Sequence, residues 1–524
     1  MIMKRFCYIL IMMQLLFVGC FEDDSNTYIR DLNPIEIMLD GGRELSVMQM
    51  DTLRVEPLIF CKGVPDDKLK FEWMFMSFGT IVPEILDTNM YFCAQITAPP
   101  ANNYTLRLTV TDETTGIFRI ETYSVTVHNG FREGLLIADT KDNGMTSDLS
   151  LVKCREFTSD STLKSGVQDI DRDIWTAVND APFDGTILAV NESNGFGRKY
   201  AVNVVTTKTL YQANYTDFKA ELMGDELFYV KPPFSGQDIH SAQIVFRNSD
   251  QNEVMMVNGL VYQRNLQNDV SYGTPLYPNG VDDYNVTMIV EPTLRGSTNP
   301  VYAYDAKNKQ MLFPNGRNAY KAPEQLSGSF DVNDLSDYEP FFLGRSMSGV
   351  VLLAKNLKTA KLEALIMNVI PSSGILEATN IAKEICDVTQ AQNISQAKYY
   401  AIGNAGNALY YATETGVYTG SLENMGGTAS LQWQPTPGET ITGLTFYNWW
   451  GGGEHDYIDA NGRVASQPTS GHLLLITTQK ADGSGKVTGV PVLHQHMGYL
   501  EQNKKYHVVM EGFGKILGIY KQID

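Results

Sequence analysis

The chain is poor in the residues from which active sites are usually built. Only 6 of its 524 residues are cysteine and 7 are histidine. It contains no His-Glu-x-x-His, no Gly-x-Ser-x-Gly, no phosphate-binding loop and no Cys-x-x-Cys. Six cysteines spread over such a length exclude a small disulfide-stapled scaffold. Positive charge is also scarce: 41 Lys and Arg stand against 60 Asp and Glu, a formal charge of −19. With no basic stripe to offset it, that surface repels phosphate backbones, and nucleic acid is excluded as a partner. Beyond the first twenty residues no stretch approaches the ~20 apolar residues that a membrane-spanning helix requires. From about residue 131 onward no long amphipathic helix is visible either, which points away from α and α/β folds.

What is present begins at the N-terminus. Lys4 and Arg5 precede an almost wholly apolar run from Phe6 to Val18, interrupted by Gln14 and ending Leu16-Phe17-Val18-Gly19-Cys20. This is the pattern of a secretory signal peptide. A small residue followed by Cys20 marks the lipoprotein form, in which the thiol is acylated and becomes the new N-terminus. Phe17 departs from the Leu, Val or Ile more usual at that place. Residues 1–19 are read as the signal peptide and 20–31 as an acylated, acidic tether. Loss of Lys4 and Arg5 with the leader takes the charge from −19 to −21. Glu22, Asp23 and Asp24 follow the anchor directly. They resemble the acidic export signal that carries lipoproteins of Bacteroidetes to the outer face of the outer membrane, so the expected location is lipid-anchored at the cell surface. Two acyl chains suffice for such anchoring.

The remaining ~500 residues are enough for two or more domains, at 43% hydrophobic and 19% charged residues that favour packed domains over disorder. Residues 32–129 read as a run of short strands. Leu45, Val47, Leu53 and Val55 alternate with polar neighbours, and Phe71 to Met76, Tyr104 to Val110 and Tyr123 to Val127 follow. Such alternation gives one buried and one wet face. About seven strands over ~100 residues make an immunoglobulin-like β-sandwich. Asp112 to Gly116 supplies a turn. Cys61 and Cys93 lie close enough in sequence, and in a permissive compartment, to be a candidate disulfide.

Asn103 to Asp112, Gly116 and Tyr123 to Val127 look like the closing hairpin of a PKD domain. With the lipobox, the Phe71-Glu72-Trp73 strand and Glu133 to Ile137, the chain resembles the PKD-like lipoproteins of Bacteroidetes over residues 20 to about 150. The usual acidic-Gly-Asp-Gly turn is absent after Trp73, where Ser77-Phe78-Gly79-Thr80 stands, so no calcium role is carried over. The resemblance implies a spacer or adhesion module, working beside an outer-membrane uptake complex for glycan or peptide nutrients.

Residues 130–524 repeat a strand–turn–strand grouping. The groups begin near residues 134, 186, 226, 285, 341, 398 and 442, and Tyr506 to Val509 and Lys515 to Tyr520 finish the chain. Seven groups average ~55 residues, slightly above the usual propeller blade. The expected fold class is all-β: a PKD-like sandwich followed by a β-propeller-like domain of seven or eight blades, closed by Lys515–Tyr520 pairing with Gly134–Ala138. A pair of β-sandwiches is the competing arrangement.

Chemistry is thinly signalled. His494 and His496 would share a strand face but lack a third metal ligand, and Asp331, Asp334 and Asp337 lack the glycine and terminal glutamate of a calcium loop. No metal, cofactor or catalytic residue is assigned. The most pointed stretch is Tyr447-Asn448-Trp449-Trp450-Gly451-Gly452-Gly453-Glu454-His455. Adjacent tryptophans on a strand cannot both face inward, and three glycines allow close approach. Tyr447, Trp449, Trp450 and His455 are therefore the candidate ligand-binding residues, suited to a sugar ring or a peptide side chain. The expected function is a non-catalytic binding component of a surface nutrient-uptake system. The alternatives are a propeller-based hydrolase of glycans or peptides and a structural protein–protein interaction subunit.

Overall fold

Alternating apolar residues produce the first unit strand by strand. In this computed structural model the chain divides into two compact units, residues 1–128 and 129–524. Described are residues 34–522 apart from 39–41, 49–50, 78–83, 97, 99–100, 129–130, 132, 159–167, 195–199, 248–251, 267–270, 291–299, 372–373, 375 and 449–452. Cys20, Glu22, Asp23 and Asp24 lie outside the described residues.

The first unit contains a five-stranded sheet in the order Glu44–Met48, Phe118–His128, Ala101–Asp112, Leu69–Ser77, Glu84–Asp87. The first pair is parallel and the rest antiparallel. Two further strand pairs, Ile35–Met38 with Leu58–Cys61 and Thr52–Val55 with Phe92–Gln95, share its core. Trp73 is fully buried at the centre, with Phe92 and Tyr123 at ring-centroid distances of 5.4 and 6.0 Å. Its Nε1 donates to Asn89 O at 3.0 Å, so the buried indole leaves no donor unmet. The expected turn forms: Thr114 N donates to the Asp112 carboxylate at 2.8 Å, and Gly116, at a φ of 76°, donates to Asp112 O.

The candidate disulfide is not made. Cys61 ends its strand facing the core, whereas Cys93 is exposed beside the inward-facing Phe92. Neighbouring residues on a strand point to opposite faces, and Phe92 takes the inner one.

In the second unit the alternation serves two cores at once. Along Gly134–Thr140, Leu135 and Ile137 pack with Leu473 and Val487, while Leu136 and Ala138 pack with Val202 and Val204. Seven sheets radiate in this way among the described residues. Each shares one apolar cluster with the sheet before it and another with the sheet after it. The innermost strands are Lys515–Gln522, Ile187–Asn194, Ala242–Arg247, Val286–Val290, Tyr338–Ser346, Tyr399–Ile402 and Thr440–Phe446. Each lies against the next, and Thr440–Phe446 returns to Lys515–Gln522. The unit is a seven-bladed β-propeller-like ring.

Closure is antiparallel pairing of Gly134–Thr140 with Lys515–Gln522, register Gly134 to Gln522 through Thr140 to Lys515. The last strand of the chain thus becomes the innermost strand of blade one and pairs the edge of Gly134–Thr140 that would otherwise be open. Two expected strands are corrected. Residues 226–230 begin in a 3-10 turn, Gly224–Leu227, and form only an isolated bridge, from Phe228 to Tyr272. Tyr506 closes another such turn, Lys504–Tyr506, and the strand starts later, at Val508–Phe513.

Candidate functional site

The innermost strand of blade seven ends at Phe446, and the sequence-predicted site follows it. Tyr447 is fully buried: its N–H donates to Leu473 O at 2.9 Å and its carbonyl accepts from Gly471 at 2.7 Å. Its ring lies 5.6 Å from that of Phe157, with Lys521 Nζ 5.8 Å from the ring centroid. Burial pushes the phenol far above its usual range. Asn448 ties the chain to blade six, donating to Ile402 O at 3.1 Å and accepting from Asn404 N at 3.2 Å. At Gly453 an added Cβ would stand 1.4 Å from Arg155 O, so only glycine fits there. Trp449 and Trp450 lie outside the described residues.

His455 begins a hairpin, Glu454–Ile458 with Val464–Pro468, inserted in blade seven. It is buried, and Gln467 Nε2 donates to its Nε2 at 3.0 Å. Burial, with lesser effects of His472 and Arg155, lowers its pKa to about 3, so the ring is neutral at physiological pH. Tyr447 and His455 are therefore corrected from ligand contacts to interior supports. Both carry apolar bodies that the closed ring places under backbone, and neither presents a surface to a ligand.

Buried charge is met either by an opposite charge or by hydrogen-bond donors, as at Asp148. Lys521, on the closing strand, donates to Glu133 Oε1 at 2.9 Å and to Phe157 O at 2.6 Å. Burial lowers its pKa, opposed by the Glu133 carboxylate. Between blades two and three, Arg264 donates to Glu253 at 2.8 Å, to Gln212 at 2.8 Å and to Asn203 at 2.9 Å. Tyr272 and Ser193 donate to the same Glu253 carboxylate. Asp148 receives Trp175 N and Thr176 N at 3.0 and 3.1 Å, capping the short helix Ile174–Asn179.

The open feature on the axis is a cavity of about 300 Å³. Its lining comes mostly from the innermost strands of blades five, six, seven and one, with Lys398 and Thr477 beside them, which places it next to the central channel. Phe341, Phe342, Tyr399 and Tyr400 bring aromatic rings to it, and Thr442, Thr445 and Thr477 bring hydroxyls. Phe341 and Tyr400 lie 5.0 Å apart, centroid to centroid, and Phe341 is 38% exposed. Thr442 and Thr477 share a hydroxyl hydrogen bond at 3.0 Å. No carboxylate is among these lining residues. The lining suits stacking against a sugar or an apolar side chain, with hydroxyls to fix its orientation. Sequence reasoning missed it. The signal was there: Phe341-Phe342 and Tyr399-Tyr400 are adjacent aromatic pairs, the same cue that drew attention to Trp449-Trp450.

The remaining candidates are accounted for locally. His494 ends the strand Gly485–His494 and His496 sits in the turn after it, both exposed with rings 6.3 Å apart, and His494 Nδ1 accepts from Met497 N. Asp331 and Asp334 accept from their own backbone at Asn333 and Ser336, and Asp337 pairs with Lys358. Among the described residues no group of three acidic, histidine or cysteine side chains is placed to hold a metal, and no helix is long and apolar enough to cross a membrane.

Comparison with known proteins gives one family. The model of the PKD-like family matches residues 20–186, which reaches past the sandwich into the first blade. No curated protein matches. Among solved structures, a quinonprotein alcohol dehydrogenase-like protein of Bacteroides thetaiotaomicron aligns over 92% of this chain and 96% of its own, at 12% identity and a TM-score of 0.32.

Proposed function

We propose that this chain is a lipid-anchored capture protein of the outer membrane, facing the cell exterior and serving a nutrient-uptake system without catalysing a reaction. Acylation at Cys20 holds it to the membrane, Glu22-Asp23-Asp24 directs it outward, the sandwich acts as spacer, and the propeller takes a glycan or peptide ligand. The observation that carries the capture half is the axial cavity. Rings and hydroxyls converge there, whereas glycoside hydrolysis calls for two carboxylates flanking the bond to be cut. The leader and acidic tether support the address.

The test is binding of the full chain, purified in detergent, to a panel of polysaccharides and protein digests, with products monitored in parallel. Binding without turnover is expected, weakened about tenfold or more in a Phe341→Ala/Tyr400→Ala variant. Turnover of any bound polymer would overturn the non-catalytic reading. For the address, metabolic labelling with palmitate should be lost in Cys20→Ala, and protease added to intact cells should remove the protein. Protection from that protease would refute the outward-facing assignment.

A further inference from the structure

Blade three differs from its neighbours at its outer edge. Its sheet has three strands among the described residues, where blades two, five and six each have four. Leu260–Asn265 is its outermost strand among the described residues. Tyr272 pairs with the 227–229 segment, through Tyr229 N to Tyr272 O at 2.9 Å and Tyr272 N to Leu227 O at 2.8 Å. Leu276 N then donates to Val261 O at 2.8 Å, and Tyr277–Asn279 departs to join blade four beside Asn318–Lys321. The space left beside residues 263–265 is a cleft of about 400 Å³.

The lining of this cleft contrasts with the net charge of the chain. The chain carries −19 overall, yet none of the residues lining the cleft is acidic. Glu253, beneath it, is matched by the buried Arg264 guanidinium. Arg317, on the opposite wall, is exposed and makes no ion pair or side-chain hydrogen bond among the described residues. Tyr229 and Tyr277 stand at the walls, 63% and 57% exposed. Gln263, also in the lining, has a buried Oε1 without a hydrogen-bond partner among the described residues. An orphaned buried acceptor is costly until a donor arrives. Nothing lies within 4 Å of a Cβ added at Gly273, so the cleft is open over that residue.

We propose that this cleft binds an acidic glycan, a chain bearing uronate-type sugars. Arg317 takes the carboxylate, since a guanidinium fork matches it bidentately. Gln263 Oε1 accepts from a sugar hydroxyl, and the tyrosine rings receive the apolar faces of neighbouring sugars. Exposed tyrosine rings and an unmet acceptor in one lining favour a polyhydroxylated chain over an acidic peptide. The site is separate from the axial cavity and does not rest on the reading given to that cavity.

The experiment is calorimetric titration of the full chain in detergent with oligogalacturonate, the same oligomer methyl-esterified, a neutral gluco-oligosaccharide and oligoglutamate. Oligogalacturonate is expected to bind. Arg317→Ala and methyl esterification should each weaken it about tenfold or more, and the two losses should not add, because they remove two halves of one contact. Gly273→Trp should block the cleft, with Arg317→Ala as the variant whose exposed position leaves folding intact. Phe341→Ala/Tyr400→Ala should bind the acidic oligomer normally. The proposal is overturned if no acidic oligosaccharide binds, if Arg317→Ala and Gly273→Trp leave affinity unchanged, or if oligoglutamate binds as tightly. Loss of binding in the axial variant alone would also overturn it, while leaving the capture reading in place.

Discussion

The sandwich and the propeller bury their strands differently. In the sandwich, Phe118–His128 alternates strictly from Glu121 on, with Tyr123, Val125 and Val127 inward and Thr122 and Ser124 outward. In the propeller, Gly349–Ala354 is buried at every position, since Val350, Leu352 and Ala354 face blade four and Val351 and Leu353 face blade six. A sheet covered on both faces has nowhere to place polar side chains cheaply. The propeller holds some of its interior charges as matched pairs, Glu253 with Arg264 and Glu133 with Lys521, and surrounds others, such as Asp305, with amide donors. The sandwich has a core of aromatic and aliphatic residues around Trp73 and leaves Met38, Leu58 and Phe60 on an open face. One unit depends on closure, the other on a single packed core.

The largest expected effect breaks the closure. Removing residues 515–524 takes away the innermost strand of blade one and exposes Gly134–Thr140 along its edge. Calorimetry should show the propeller transition abolished and the sandwich transition retained. Survival of both transitions would mean that closure contributes little.

Next comes the charge that closure buries. Glu253→Ala leaves Arg264 buried without its carboxylate and should cost the propeller about 3–5 kcal/mol by denaturant unfolding. A Glu253→Leu/Arg264→Met variant should recover most of that loss, because the desolvation of both ions disappears with them. Trp73→Ala should cost the sandwich a comparable ~3–5 kcal/mol and leave the propeller transition where it is, which measures how independent the two units are.

A smaller, pH-dependent effect follows from His455. Its pKa in the folded chain, about 3, lies below the ordinary 6.5, so between those values the unfolded chain binds the extra proton. Stability is thus fully present above 6.5 and falls as pH drops toward 3, by about 2 kcal/mol at pH ~5. Melting curves from pH 7 to 5 should show the propeller weakening, and His455→Gln should flatten the trend. An unaltered slope in that variant would place the dependence elsewhere.

The smallest effect concerns the thiols. Cys93 is exposed and unbridged, so Cys93→Ser and added reductant should each leave the sandwich midpoint within about 0.5 kcal/mol of the parent. A larger drop under reductant would show that a bridge forms in solution.

Much of the fold was legible because strand alternation is a local property. The runs from Tyr104 to Val110 and Tyr123 to Val127 pair antiparallel as their pattern demanded, and the expected meeting of Lys515–Tyr520 with Gly134–Ala138 is the observed closure. The candidate site was much less legible. Tyr447 and His455 lie in a glycine-rich, aromatic stretch that reads as an accessible ligand-binding segment, yet the strand end at Phe446 and the inserted hairpin carry both inside. Phe341 and Tyr400 are 59 positions apart and meet only because blades five and six stand side by side.

By itself the sequence determined the strands, the alternation that gives each its faces, the N-terminal leader pattern and the net acidity. Those follow from residue chemistry and from spacings of a few positions. Tertiary structure alone decided which face of an inner strand meets the axis, that Tyr447 would lie beneath Lys521, and that the outer edge of blade three would stand open beside Arg317. Each of these depends on residues tens to hundreds of positions apart being brought together by the ring, and no local pattern carries that information.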